Sequence, residues 1–171
     1  MKKLLLLLIP IILLFCGCTK SPTEEVTLPP CFNSEVNINV GDTSYTAYLS
    51  RYADGYWRIE LLNPMAVKGL IFTVSGGETE VGFSGLQFTF DTSRFPVGSV
   101  ITSATERIDK LMISPLDVIT GDDNCLATGK LGEESFTLTL SKTHVPQKLE
   151  FTDIGMSVEF VSFDIIEVVE E

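Results

Sequence analysis

From Val36 onwards the apolar residues of this chain recur at every second position. A period of two is the mark of strands that bury one face and wet the other. Val36, Ile38 and Val40 alternate with Asn37 and Asn39, and Gly41-Asp42 supplies a turn. Tyr45, Ala47 and Leu49 repeat the pattern up to Ala53-Asp54-Gly55, and Trp57, Ile59 and Leu61 then oppose Arg58 and Glu60. Asn63-Pro64 breaks that strand. Leu70, Phe72 and Val74 resume it, Gly76-Gly77 turns, and Val81 and Phe83 lead on to Leu86, Phe88 and Phe90. These are hairpins in succession, an antiparallel meander. Because neighbours in a strand point to opposite faces, one of Tyr56 and Trp57 must face outwards, in a candidate partner interface.

The period changes once. After Phe95-Pro96, Val100, Ala104, Ile108 and Leu111, flanked by Val97, Ile101 and Met112, fall at helical spacing, which puts Thr105, Glu106, Asp109 and Lys110 on the wet side. Ser114-Pro115 ends or kinks this helix, with Leu116, Val118 and Ile119 adding a last turn and residues 121–124 forming a loop. Strand pattern returns with Phe136, Leu138 and Leu140, then Leu149 and Phe151, then Met156, Val158 and Phe160. Val161, Phe163 and Ile165 take the opposite parity, which predicts a bulge or burial on both faces. The plan is about six strands, one helix and then three or four strands. One helix cannot cover so many strands laid flat. The expected fold is therefore mainly β with one helix (α+β): a strongly curved antiparallel sheet, an incomplete barrel with a helical lid.

The amino terminus sets a location. Lys2 and Lys3 precede an apolar run from Leu4 to Phe15, about 12 residues where a membrane-spanning helix needs roughly 20. That fits the apolar region of an export signal. The run ends in Phe15-Cys16-Gly17-Cys18, which resembles the lipobox of bacterial lipoproteins, with small Gly17 before the cut and Cys18 as the lipidated residue. Cys16 follows bulky Phe15 and is the poorer choice. Residues 1–17 are thus expected to be a lipoprotein signal peptide and 18–33 a lipidated N-terminus and flexible tether that lifts the domain off the bilayer. Residues 34–171 are expected to be the folded domain. Thr19 follows the cysteine in place of Asp, which in a host with two membranes resembles an outer-membrane sorting signal. The expected localisation is extracytoplasmic, held by a diacylglycerol anchor firmer than a single acyl chain provides.

Twelve basic against 23 acidic residues give a net charge of −11, and loss of Lys2 and Lys3 on cleavage takes it to −13. Such a surface repels phosphate backbones, so nucleic acid is excluded as a partner. With 44% hydrophobic residues and 11 Phe, the chain is still a packed domain rather than an acidic tail. Export permits a disulfide, and Cys31 and Cys125 are the candidate pair, provided their α-carbons come within about 7 Å. Neither has a neighbouring histidine that would make a zinc site.

No residue pattern supports catalysis. His144, the lone histidine, stands in a turn with no nucleophile beside it and reads as a surface residue. Residues 121–130 contain Gly129-Lys130 but lack the earlier glycine and the Ser or Thr of a phosphate loop. Asp122-Asp123-Asn124 lacks the alternating ligands of a calcium loop, so a solvated turn is expected, and Glu167, Glu170 and Glu171 read as a solvated tail. No metal and no cofactor beyond the anchor is expected. One set remains: Phe72, Phe83, Phe88, Phe90, Ile108, Leu111, Phe136, Leu138, Phe151 and Phe160, which either fill a core among themselves or line an apolar cavity.

Three stretches carry a family resemblance. Tyr56-Trp57-Arg58-Ile59-Glu60-Leu61 with Asn63-Pro64, then Lys68-Gly69-Leu70 with Gly85-Leu86, are similar to hairpins of the LolA-like superfamily. Residues 135–140, residues 145–151 and Ser157-Val158-Glu159-Phe160 resemble its late hairpin and the strand after it. The superfamily includes periplasmic lipoprotein carriers, mycobacterial lipid-binding lipoproteins and a clostridial spore-germination lipoprotein. The resemblance spans roughly Val36 to Ile166 and implies a half-barrel whose concave face, lidded by helices, holds acyl chains. This chain departs from carriers in being shorter, in offering one clear helix and in being anchored. The expectation is a fixed, non-enzymatic binder of a lipid or other apolar ligand. The alternative is an envelope interaction module with a filled core, docking an envelope protein or a second copy.

Overall fold

The computed structural model describes residues 23–89 and 96–166. The segment expected to be a signal peptide, Cys16, Cys18, Phe90 and the acidic residues after Ile166 lie outside them. Seven strands come first: β1 (Thr23–Val26), β2 (Phe32–Val40), β3 (Thr43–Ala53), β4 (Tyr56–Asn63), β5 (Ile71–Ser75), β6 (Glu78–Phe83) and β7 (Leu86–Thr89). The helix α1 (Pro96–Met112) follows. Six more strands complete the sheet: β8 (Leu116–Thr120), β9 (Cys125–Leu131), β10 (Glu134–Leu140), β11 (Pro146–Phe151), β12 (Met156–Phe160) and β13 (Asp164–Ile165).

All the described strands form one sheet in the order β1-β8-β9-β10-β11-β12-β2-β3-β4-β5-β6-β7, with β13 also against β2, and every pairing is antiparallel. The sheet is open, since β1 and β7 stand at its two ends. It is also curved, and the core requires this. Laid flat, twelve strands would span about 50 Å, whereas a helix with its side chains is only about 10–12 Å across. Yet Val26 of β1, Val81 of β6 and the helix residues Ile101 and Ile108 belong to one continuous core. The strands reach the same helix only by curling around it.

The helix begins at Pro96, a residue whose fixed φ suits a first helical position. Val97, Ile101, Ala104, Ile108 and Leu111 are buried along one stripe, each large side chain contributing about 1.5–3 kcal/mol. Thr105, expected on the wet side, is buried too, because its hydroxyl turns back to the carbonyls of Ile101 and Thr102, both at 3.1 Å. The satisfied hydroxyl costs little inside.

The early strands match their alternation, but three elements differ from expectation. Residues 23–33 are not tether: β1 pairs with β8, and Val26, Leu28, Cys31 and Phe32 are buried. Residues 116–120 form β8 rather than a last helical turn, burying Val118 alone. Residues 125–131, to which the apolar pattern assigns no element, form β9, which carries Gly129-Lys130 within the strand. The parity change after Phe160 is a bulge, as the pattern predicts. The Glu35 carbonyl accepts from both Val161 N–H (2.8 Å) and Ser162 N–H (3.4 Å), after which Phe163 stacks on Phe32 at 4.6 Å.

Gly129 has a specific packing reason. It lies opposite Phe136, and a Cβ there would stand 2.8 Å from the ring. Gly129→Ala must push that buried ring aside, and overpacking of this kind costs about 1–3 kcal/mol. Urea unfolding should show a lower midpoint at unchanged slope, and Phe136→Leu on the same background should restore part of the loss.

Candidate functional site

The concave face divides into a covered and an uncovered part. The covered part is held by a polar clip. Arg51 follows Ala47 and Leu49 on the inward side of β3, which puts a guanidinium into the core at 3% exposure. Its partner is Asp109 of α1, 13% exposed, at 2.7 Å. The other Asp109 oxygen accepts from Trp57 Nε1 at 2.8 Å and from the Gly55 N–H at 3.3 Å. Arg51 also donates to the Pro30 carbonyl and stands 5.7 Å from the centre of the Trp57 ring. One carboxylate thus joins α1 to β3, β4 and the β3–β4 turn. Sequence reading missed this: Asp109 looks wet on the helix, although Arg51 at an apolar parity position already demands a counter-charge. A second link runs from Arg107 to Glu134 at 2.6 and 2.8 Å. The hydrogen bond from Arg107 holds the Glu134 carboxyl below its usual pKa.

The set expected to line a cavity separates. Phe72, Ile108, Leu111, Phe136, Leu138 and Phe151 are buried together in the core, because the helix fills the concavity above them. Phe160 is half-buried at the edge of that core and contacts Phe163. Phe90 lies outside the described residues. Phe83 and Phe88 differ: they are 48% and 52% exposed, beside Leu86 at 61%. Val81 pairs with Phe88 and Phe83 with Leu86, so all four side chains share the inward face. Val81 is buried and the other three are not, because α1 does not cover the β6–β7 hairpin. The uncovered part of the concave face is therefore an apolar strip, running along the sheet's β7 end.

Three hollows lie around this end of the molecule. One of about 330 Å³, between α1 and β4–β6, is lined by Trp57, Val74, Thr79, Thr102, Glu106 and Asp109, a mixed polar and apolar set. A second, about 420 Å³, opens beside Gly82, Phe83 and Leu86. The third, about 500 Å³, is a shallow groove at the β3–β4 turn, where Tyr52 and Tyr56 are exposed and Arg58 and Thr73 line it. Of the adjacent pair Tyr56 and Trp57, it is Tyr56 that faces outwards.

Cys31 and Cys125 are both free and buried. The candidate bridge is not formed, because β10, β11 and β12 separate β9 from β2 in the sheet, and Cys31 Sγ donates to the Tyr52 carbonyl at 2.9 Å. His144 lies in the turn after β10 with Glu24 at 3.7 Å. Asp122-Asp123-Asn124 is the β8–β9 turn, closed by Gly121 N–H to the Asn124 carbonyl at 2.8 Å. Among the described residues no group of three His, Cys, Asp or Glu could hold a metal ion, and no helix is long and apolar enough to cross a membrane.

No protein-family model and no curated protein matches the chain. Among solved structures it is similar to the LolA superfamily protein NE2245 from Nitrosomonas europaea, at 11% identity and a TM-score of 0.43 over 84% of this chain and 90% of that one. It is similar also to an uncharacterized conserved protein from Thermus thermophilus, at 11% identity and a TM-score of 0.45 over 83% and 82%. Likeness at these scores says nothing of ligand or activity.

The clip has a measurable weight. Asp109→Ala leaves Arg51 buried without its charge partner, a loss of about 3–5 kcal/mol. Asp109→Ala with Arg51→Met should recover most of it, and chemical denaturation of the three proteins measures both.

Proposed function

We propose that this chain is a membrane-anchored, extracytoplasmic, non-enzymatic lipoprotein that binds an acyl chain or other apolar ligand on the uncovered strip of its concave face. One observation carries the reading: Phe83, Leu86 and Phe88 stand side by side, about half exposed or more, on a face whose other large side chains are buried or half-buried. Contiguous exposed apolar residues mark binding surfaces. The strip ends at β7, where Leu86-Gln87-Phe88-Thr89 carries none of the charges that usually guard a sheet edge. The opposite edge does carry them, at Glu24 and Glu25. The resemblance of the hairpin sequences to a superfamily of acyl-chain binders supports the same ligand class. The strip's side chains are all hydrocarbon, which suits binding and offers no group for acid–base work.

The anchor is the second half of the reading, and the sequence ending in Gly17-Cys18 supports it. An envelope protein partner or a second copy is the alternative occupant of the outer surface. The groove with exposed Tyr52 and Tyr56 beside Arg58 favours it, since Tyr and Arg are the usual anchors of protein interfaces.

Two measurements test these readings. A photoactivatable fatty acid should label peptides of β6 and β7, and Phe88→Asp should cut labelling by about tenfold with little change in stability, since the side chain is already exposed. Labelling spread evenly over the surface would remove the ligand reading. Cys18→Ser should abolish palmitate incorporation and move the protein to the soluble fraction.

A further inference from the structure

We propose that the convex face of β8 and β9 rests on the bilayer that carries the chain's own lipid, so that the anchor fixes the orientation of the domain as well as its location. The inference rests on lipidation of Cys18. Its first support is the length of the leash. Cys18 and Thr23, the first residue of β1, are five residues apart in the chain. Even fully extended, five residues reach at most about 18 Å. The edge strand β1 is therefore held close to the headgroups, and the tether that sequence reading assigned to residues 18–33 shrinks to its first few residues.

The second support is what the sheet presents at that point. Thr23 pairs with Ile119 of β8, and Ile119 pairs with Leu126 of β9. Ile119 is 46% exposed and Leu126 38%, while their neighbours Val118, Cys125 and Ala127 are buried on the other face. The row continues to Thr139 of β10, a small uncharged residue, and ends at Lys148 of β11, whose ammonium is paired with Glu150 at 2.9 Å. Thr23, Ile119, Leu126 and Thr139 thus form an uncharged stripe across four strands that starts at the leash. Such a patch binds a membrane weakly by itself. Tethering makes the encounter intramolecular, at a local concentration that renders a weak contact persistent. The charges nearby choose the lipid. Asp122 and Asp123 are exposed in the β8–β9 turn, and Glu25 pairs with Asp117 on the same face. Anionic headgroups are repelled there, so the surface that fits is a zwitterionic one.

The test uses full-length, lipidated protein in phosphatidylethanolamine–phosphatidylcholine vesicles doped with a lipid that bears a nitroxide on its acyl chain. A fluorophore is placed at Ile119→Cys, at Leu126→Cys or, as control, at Asp42→Cys in the β2–β3 turn. Apolar side chains at a membrane surface sink about 5–10 Å into the acyl boundary, so quenching of about twofold or more is expected at 119 and 126 and none at 42. Adding phosphatidylglycerol should weaken the effect. Equal quenching at all three positions, in protein that floats with the vesicles and carries the acyl mass, overturns the orientation and leaves the anchor standing. Protein that lacks the acyl mass and does not float overturns both.

Discussion

Among the described residues a single amphipathic helix has to serve a sheet of thirteen strands, twelve of them abreast, and this mismatch governs the architecture. The helix offers one stripe, from Val97 to Leu111, and that stripe is fully used. Strands from both halves of the sheet converge on it, which forces the curl and leaves the sheet open at β1 and β7. Apolar packing alone would let the helix slide along such a trough, since burial has no direction. Asp109 removes that freedom. Its two oxygens bond the Arg51 guanidinium, the Trp57 indole and a turn amide, and each bond has a fixed geometry. A buried ion pair adds little net stability against an apolar substitute, so its value here lies in register.

That register decides what is left uncovered. With the helix fixed over β3 and β4, Phe72 and Val81 are sealed and the hairpin beyond them is not. The same inward parity that places Val81 in the core places Phe83 and Phe88 in the open. The strip is therefore no irregularity of the strand pattern. It is the regular pattern continued past the end of its cover.

This explains how far the sequence could be read. The period of two found the strands from β2 to β6 because each alternates cleanly for five residues or more, and the helix stood out by its change of period. The bulge after Phe160 was legible in the switch of parity to Val161 and Phe163. Strands β1, β8 and β9 escaped because their apolar residues do not alternate cleanly: β1 buries Val26 alone, β8 buries Val118 beside an exposed Ile119, and β9 runs Cys125-Leu126-Ala127 together before a glycine. Their partners, not their composition, make them strands. The aromatic set could not be split into core and surface from sequence, since burial there depends on where one helix ends its coverage. The Arg51–Asp109 pair spans 58 positions, and only the fold brings it together.

The charge distribution bears on the exposed apolar strip. An acidic chain with a net charge of −11 repels copies of itself, which protects an unguarded edge such as β7 from unwanted pairing. Repulsion of that kind is long-ranged and indifferent to shape, so it leaves an uncharged ligand free to approach. A neutral acyl chain meets no electrostatic barrier at the strip, whereas a second acidic domain does. Short-range apolar attraction and long-range like-charge repulsion therefore act on the same surface, and they differ in which partners they favour.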